Sequence, residues 1–382
     1  MQNFAYKNPT EILFGQNQTA LIAERIPADS KVLMLYGGGS IKQNGAYEQT
    51  LAALSNFDVV EFGGVEANPV YETLMQALDV VRDEAIDFIV AVGGGSVGDG
   101  AKFIAAAAHY QGADPWDILA KGAAVDSAMP LGIVLTLPAT GTESNGNSVI
   151  TRESTGQKLG FGSPMVRPVF AVLDPTYTVT LPARQVGNGV VDAFVHVIEQ
   201  YLTYPADAPL QDRFAESILA TLIEEGPKAL SEADNYQVRA NIMWSACMAL
   251  NGLIGQGVPQ DWSTHMIGHE LTAVHGLDHA QTLAVVLPSL MRHQIGHKQA
   301  KLEQLAVRVF GIEGEQAASQ CIDAIEAFFE QMGVPTRLSG YQLGDDAIDP
   351  VIASLTQNGM LKLGEHGDIT PDVARKILQA AA

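Results

Sequence analysis

The sequence predicts an α/β protein in which an N-terminal parallel-sheet domain is followed by an all-helical domain. Three observations predict it. Short apolar runs at 32–36, 57–62, 88–92, 131–137 and 169–173 alternate with helical patterns, which is the signature of βα units. After Leu181-Pro182 the apolar spacing becomes three and four residues almost throughout, as in FAESILATLIEEGPKAL, VRANIMWSACMALNGL, KLEQLAVRVFGI and QCIDAIEAFFEQMG. A chain of 382 residues is also long for a single core. The expected domains are 1–180 and 181–382.

The first domain is punctuated by two glycine turns. VLMLY (32–36) leads into Gly37-Gly38-Gly39-Ser40, and FIVAV (88–92) leads into Gly93-Gly94-Gly95-Ser96. Both runs read as central strands of a parallel sheet. The second turn opens VGDGAKFIAAAAHY, an Ala-rich helix. Strand, glycine turn and helix N-terminus form an anion site: N–H groups point outward, glycine permits close approach, and the helix dipole favours negative charge. One such turn is as readily an ordinary strand-to-helix connection. Two on parallel strands favour a dinucleotide and a Rossmann-like domain.

The next run ends in LTLPATGTESN, a loop of hydroxyls. Thr136, Thr140, Thr142 and Asn145 offer donors to phosphates, ribose or a nicotinamide amide; ordinary turn chemistry is the alternative. Lys158 follows a Thr-Gly turn where a hairpin is expected.

The second domain carries the metal chemistry. Asp192 and His196 sit in VVDAFVHVIEQY, four residues apart and so on one face of a buried helix. His265 and His279 lie in DWSTHMIGHELTAVHGLDHAQT. Together they offer one carboxylate and three imidazoles to a divalent ion. That donor set suits Zn²⁺ or Fe²⁺ better than Mg²⁺ or Ca²⁺, and the absence of thiolates points to a working site. His275, four residues before His279, is a competing ligand on spacing alone.

Composition narrows the class. The formal charge of −21 disfavours nucleic acid and anionic membranes as partners. Cys247 and Cys321 fall in separate helical patterns with no CxxC, so they read as buried thiols of a reducing compartment. The N-terminus shows no signal-peptide pattern and no apolar stretch reaches membrane length, giving a cytoplasmic expectation.

A dinucleotide and a metal together point to hydride transfer. From NPTEILFG to HGDITPDVARKIL the chain resembles the iron-containing (group III) alcohol dehydrogenases, in the branch of NADPH-dependent aldehyde reductases and butanol dehydrogenases. The segments that carry the likeness are YGGGSIK, EFGGVEANP, VGGGSVGDGAKF, LTLPATGTESN, LPARQVGNGVVDAFVHVIEQY and THMIGHELTAVHGLDHAQTLA, in order and at matching spacing. The resemblance implies a two-domain enzyme with its active site in the cleft between the domains. It implies Asp192, His196, His265 and His279 as metal ligands and leaves His275 out. It places Ser96, Asp99 and Lys102 at the cofactor and brings Lys158 near the nicotinamide ribose. It also gives His269, one turn after His265, a non-ligand place at the active site, where a proton relay is expected.

Cofactor choice follows from an absence. NAD-using members of that family carry an aspartate after the strand matching 32–36. Here Gly37, Gly38, Gly39, Ser40 and Lys42 stand there, with donors for a 2′-phosphate and no carboxylate to repel it. NADP(H) is therefore expected, with short- to medium-chain aldehydes as substrates and a homodimer as the assembly. The segment EILFG is an expected source of an intersubunit strand. Gln200 and Asn145 are expected either at the substrate pocket or in local hydrogen bonds. His109, His293, His297 and His366 are expected at the surface.

Two rival classes remain at this level. Dehydroquinate synthase and glycerol dehydrogenase share the broad fold, but the former calls for a basic cluster near the metal motifs, and the latter for an NAD⁺ pattern. A non-catalytic NADP- or metal-binding sensor would bind without turnover.

Overall fold

The computed structural model describes residues 1–382. The chain opens with β1 (Glu11–Phe14), β2 (Lys31–Tyr36), α1 (Ala46–Ala53), β3 (Asp58–Phe62), α2 (Tyr71–Asp83), β4 (Phe88–Gly93) and α3 (Gly95–His109). There follow α4 (Asp117–Ala120), β5 (Leu131–Leu135), β6 (Asn147–Arg152), β7 (Gln157–Gly162) and β8 (Phe170–Leu173). All five apolar runs read from the sequence are strands of one parallel sheet, in the order β1-β8-β5-β4-β2-β3. Strands β4, β5 and β8 are buried along their whole length. That burial explains why they read as continuous apolar runs rather than alternating ones.

The strand order marks the place where open parallel sheets commonly take ligands. From β2 the chain moves outward to β3, then returns to lay β4 on the other side of β2, with Tyr36 opposite Val92. Strand order therefore reverses between β2 and β4. In open parallel sheets the crevice at the carboxyl ends of such strands is the binding place. Both glycine turns stand there, one at the end of each strand.

β1 pairs in parallel with β8, Glu11 opposite Phe170 through Phe14 opposite Leu173. The segment EILF is thus an edge strand of the chain's own sheet. β6 and β7 form a separate antiparallel hairpin with Thr151 opposite Lys158. Its turn closes through Gly156 at φ 65°, a left-handed conformation that suits glycine.

The remaining helices are α5 (Ala183–Tyr201), α6 (Pro209–Ser231), α7 (Tyr236–Ala249), α8 (Ser263–His275) and α9 (His279–His293). After them come α10 (Ile295–Leu305), α11 (Ala317–Gln331), α12 (Ile348–Gln357) and α13 (Pro371–Ala380). KLEQLAVRVFGI is not one helix: α10 gives way to a single π turn at Ala306–Phe310 before Gly311.

The chain folds as two compact units. One comprises 7–181 and 233–247, and the other 1–6, 182–232 and 248–382. The units do not divide at a single crossing at 180/181: most of α7 belongs with the sheet. Its apolar face explains why: Trp244 meets Phe14 edge-on at 5.7 Å, and Cys247 Sγ lies 3.3 Å from Ser144 Oγ. Helical periodicity gave the element and could not say which core it packs on.

In the helical unit α5 is buried from Val190 to Tyr201. Phe194 packs on Phe328 and Phe329 of α11 at 5.3 and 5.5 Å. A second core joins Ile267 and Leu271 of α8, Val285, Val286 and Leu290 of α9, and apolar residues of α12 and α13. Polar groups on a helix this deeply buried need partners, since an uncompensated one costs about 1–3 kcal/mol. The partners of Asp192, His196 and Glu199 define the site.

Candidate metal centre and nucleotide-binding turns

Asp192 Oδ1 is the hub of the helical unit's polar cluster. It lies 3.6 Å from His196 Nδ1, 3.7 Å from His279 Nε2 and 4.0 Å from His265 Nε2. Donors about 2.0–2.2 Å from a tetrahedral ion stand roughly 3.4 Å apart, so these separations fit one divalent ion. Ligand atoms of Asp192, His265 and His279 all lie within 4.8 Å of one another. His196 is not in that mutually close set. Its ring stacks on His265 at 4.6 Å, and its buried Nδ1 has no hydrogen-bond partner. Burial, with His265 beside it, holds the His196 imidazole well below its usual value. The neutral ring is the form that binds metal.

One face of α5 organises the cluster. Asn188, one turn before Asp192, donates to Asp278 Oδ2 at 2.9 Å, and Arg184 reaches the same oxygen at 3.1 Å. Asp278 is the N-cap of α9, in a reciprocal capping box with Gln281, so His279 is fixed as the first residue of that helix. Seven residues beyond Asp192, Glu199 accepts from the backbone N–H of Thr264 at 2.6 Å and of His265 at 3.2 Å. Its Oε2 also hydrogen bonds His265 Nδ1. A carboxylate from α5 thereby satisfies the first turn of α8, whose N-cap residue Trp262 supplies no side-chain cap. With Nδ1 held, His265 presents Nε2 to Asp192. Burial first, and Asp261 second, push the Glu199 carboxyl well above its ordinary range. Glu199 was missed in the sequence. Its signal was the i, i+4, i+7 spacing of Asp192, His196 and Glu199 in an otherwise apolar stretch of the helix.

His269 is buried near the cluster, its ring 5.1 Å from that of His279 and 6.2 Å from that of His265. His275 Nε2 bonds the Ala347 carbonyl at 2.8 Å. Gln200 Nε2 donates to the carbonyls of His196 and Ala249 at 2.7 and 2.9 Å, an internal bracing contact. His109, His293, His297 and His366 are exposed.

In the sheet unit, Gly93, Gly94, Gly95 and Ser96 form the β4–α3 turn. A Cβ on Gly95 would stand 2.5 Å from Thr140 Oγ1, so only glycine lets the hydroxyl loop close on this turn. Gly37, Gly38 and Gly39 end β2; Gly39 has φ 95° and precedes a short helical turn at Ser40–Lys42. Lys42 Nζ lies 4.6 Å over the Tyr47 ring and 5.3 Å from that of Tyr36. The turn itself holds no carboxylate, but Glu61 at the end of neighbouring β3 accepts from Tyr47 Oη at 3.0 Å. Strand pairing, not local sequence, brings that carboxylate close.

Lys102 is fully buried. Its Nζ donates to Thr142 Oγ1, Asn145 Oδ1 and the Asn147 carbonyl at 2.8–2.9 Å. Asp99 accepts from Thr142 Oγ1 at 2.6 Å and from Val149 N at 3.0 Å. Asp99, Lys102, Thr142 and Asn145 therefore hold one another and pin the hydroxyl loop to α3. Burial brings the Lys102 ammonium down to about 8, against the pull of Asp99, and raises Asp99. Thr136 is buried at the end of β5, its N–H bonded to the Gly93 carbonyl at 2.9 Å. Lys158 is buried too, its Nζ donating to Asn68 Oδ1 at 2.7 Å. Asn68, in the ANP turn, also donates its N–H to Ser96 Oγ at 3.2 Å. It ties Lys158 to the second glycine turn, and no residue pattern announced that link.

A dinucleotide-type sheet with paired glycine turns and a buried Asp/His cluster on a helical unit define a metal-dependent, nucleotide-linked oxidoreductase. Family models agree: "Iron-containing alcohol dehydrogenase" matches residues 9–175 and "Fe-containing alcohol dehydrogenase family, C-terminal" matches 187–382. The chain belongs to the iron-containing alcohol dehydrogenase family. It is 59% identical, over the full length of both proteins, to the NADPH-dependent aldehyde reductase YqhD of Escherichia coli K12. It is 41% identical, again over both full lengths, to probable NADH-dependent butanol dehydrogenase 1 of Bacillus subtilis. A crystal structure of E. coli YqhD superposes with a TM-score of 0.98 at 58% identity, covering 100% of this chain and 99% of that one. No helix is long and apolar enough to cross a membrane.

Proposed function

We propose that this protein reduces short- to medium-chain aldehydes with NADPH, as an NADP(H)-linked alcohol dehydrogenase. The observation that carries the reading is the convergence of three imidazoles on Asp192 Oδ1. In this reading Asp192, His196, His265 and His279 hold one Zn²⁺ or Fe²⁺. When bound, the ion supplies Lewis-acid polarisation of the substrate carbonyl. Bound NADPH supplies the hydride.

The chain's own groups do the rest. The N–H groups of Gly93, Gly94 and Gly95, the hydroxyl of Ser96 and the α3 N-terminus take the diphosphate. Gly37, Gly38, Gly39, Ser40 and Lys42 take the 2′-phosphate. Asp99, Lys102, Thr142 and Asn145 hold the loop that, with Thr136 and Thr140, borders the nicotinamide end, and Lys158 reaches its ribose. One carboxylate among three neutral imidazoles leaves a loaded site net positive, which favours negative charge at the substrate oxygen. The His269 imidazole passes a proton to that oxygen.

In this reading the unit of 7–181 and 233–247 serves the nucleotide and that of 1–6, 182–232 and 248–382 the metal, the protein is cytoplasmic, and it works as a homodimer. The test is NADPH oxidation with butanal, repeated with NADH, on protein of measured zinc and iron content. Fast, metal-dependent turnover with NADPH supports the proposal. Metal and NADPH bound without turnover of any aldehyde overturns it.

A further inference from the structure

Behind the metal cluster lies a buried ionic chain that the mechanism above does not use. Lys298, on α10, is fully enclosed. Its Nζ lies 2.8 Å from Asp261 Oδ2, 2.8 Å from Glu365 Oε1 and 2.6 Å from the Leu202 carbonyl. All three side chains are at most 5% exposed. Asp261 uses its other oxygen on the start of α8: Oδ1 accepts from the N–H of Ser263 at 3.0 Å and from the Ser263 hydroxyl. The Asp261 N–H donates to the Glu199 carbonyl at 2.8 Å. Two carboxylates, Asp261 and Glu199, therefore share the first turn of α8. Asp261 takes the N–H of Ser263, and Glu199 takes those of Thr264 and His265 together with His265 Nδ1.

We infer that Lys298 is a positioning residue for the metal centre, acting on His265 through Asp261 and the first turn of α8. Three physical points carry this. A buried ion triad is a costly way to join helices, so it is weak evidence of a stabilising role. The chain α10–Asp261–Ser263 ends two residues before His265, with no intervening flexible segment. Without the ammonium, Asp261 Oδ2 would lose its ion pair, and the tether that runs from α10 through Asp261 to Ser263 and the first turn of α8 would slacken. Lys298 so holds Asp261 on Ser263 and keeps in place the backbone from which Glu199 fixes the His265 ring. Groups that orient a ligand in this way typically govern metal affinity by about 10–100-fold.

The inference rests on the metal reading above, and the experiment separates the two. Zn²⁺ affinity of metal-stripped protein is measured by competition with a chromophoric chelator, and the Co²⁺-loaded protein is examined by visible absorption. Wild type should bind one equivalent, and Asp192→Asn should abolish it; failure of wild type to bind overturns the metal reading itself. Given wild-type binding, Lys298→Met should lower Zn²⁺ affinity at least about 10-fold and change the Co²⁺ ligand-field bands. Asp261→Asn, which keeps an acceptor for Ser263 but loses the ion pair to Lys298 while Glu365 still pairs with the ammonium, carries the same expectation if Lys298→Met fails to fold by circular dichroism. The double variant should lose no more than the worse single one. Wild-type affinity and an unchanged Co²⁺ spectrum in a folded Asp261→Asn or Lys298→Met protein would overturn the inference.

Discussion

Asp192 and His196 stand one turn apart on α5 with Oδ1 and Nδ1 at 3.6 Å, both almost wholly enclosed. That contact is the nucleus onto which α8 and α9 each bring one more imidazole. Removing the hub carboxylate should therefore empty the site. Asp192→Asn is expected to leave less than a tenth of the bound metal. It should cut kcat/KM by roughly 10³-fold or more, the several kcal/mol of Lewis-acid assistance lost. Metal analysis beside steady-state kinetics checks it; full metal content with full activity would remove Asp192 from the ligand set.

His269 lies beside the imidazole cluster, its ring 5.1 Å from that of His279 and 6.2 Å from that of His265. His269→Ala should lower kcat by about 10²-fold, in the range of lost general acid catalysis, with metal content unchanged. Loss of metal in this variant would instead make His269 a ligand.

Lys42 and Ser40 follow the first glycine turn, where the 2′-phosphate is proposed to sit. Replacing both with alanine should lower the NADPH-to-NADH ratio of kcat/KM by roughly 10–100-fold, the worth of one charge-assisted contact. An unchanged ratio would reject the assignment. Glu61→Gln, which removes the nearby carboxylate on Tyr47, should move the ratio the other way.

Lys102 gives a pH signature. Burial lowers its ammonium to about 8 in the folded protein, against the ordinary 10.5. Between those values the unfolded chain holds a proton that the folded chain has released. Unfolding free energy from this group therefore rises with pH across that window, by at most about 1.4 kcal/mol per unit. Below pH 8 both states are protonated and its contribution is flat. Urea midpoints at pH 7.5, 8.5 and 9.5 should show the rise in wild type and a shallower slope in Lys102→Met.

Cys247 and Cys321 are free and buried. Burial pushes both thiols up, Cys321 to about 12 and Cys247 well above its usual value, so neither is a thiolate at neutral pH. A thiol reagent should find no fast-reacting group in the native protein and two after unfolding. A rapid native reaction would contradict their enclosure.

The sequence by itself determined the sheet, the two glycine turns and the identities of the polar residues on α5. Those are local properties: a buried parallel strand is a short apolar run, and a helix sets i, i+4 neighbours wherever it packs. Tertiary structure decided everything that depends on which distant backbone comes near. It showed Lys102 and Lys158 to be enclosed, although each reads as a surface lysine from its neighbours alone. It put Asn68 between Lys158 and Ser96, and Glu61 under Tyr47 beside the first turn. It assigned most of α7 to the sheet unit, since an amphipathic pattern records that a face is buried and not against what. It also placed Glu199 on the first turn of α8, 65 residues away along the chain. A carboxylate can orient a histidine only where two helices meet, and that meeting is set by the packing of both cores.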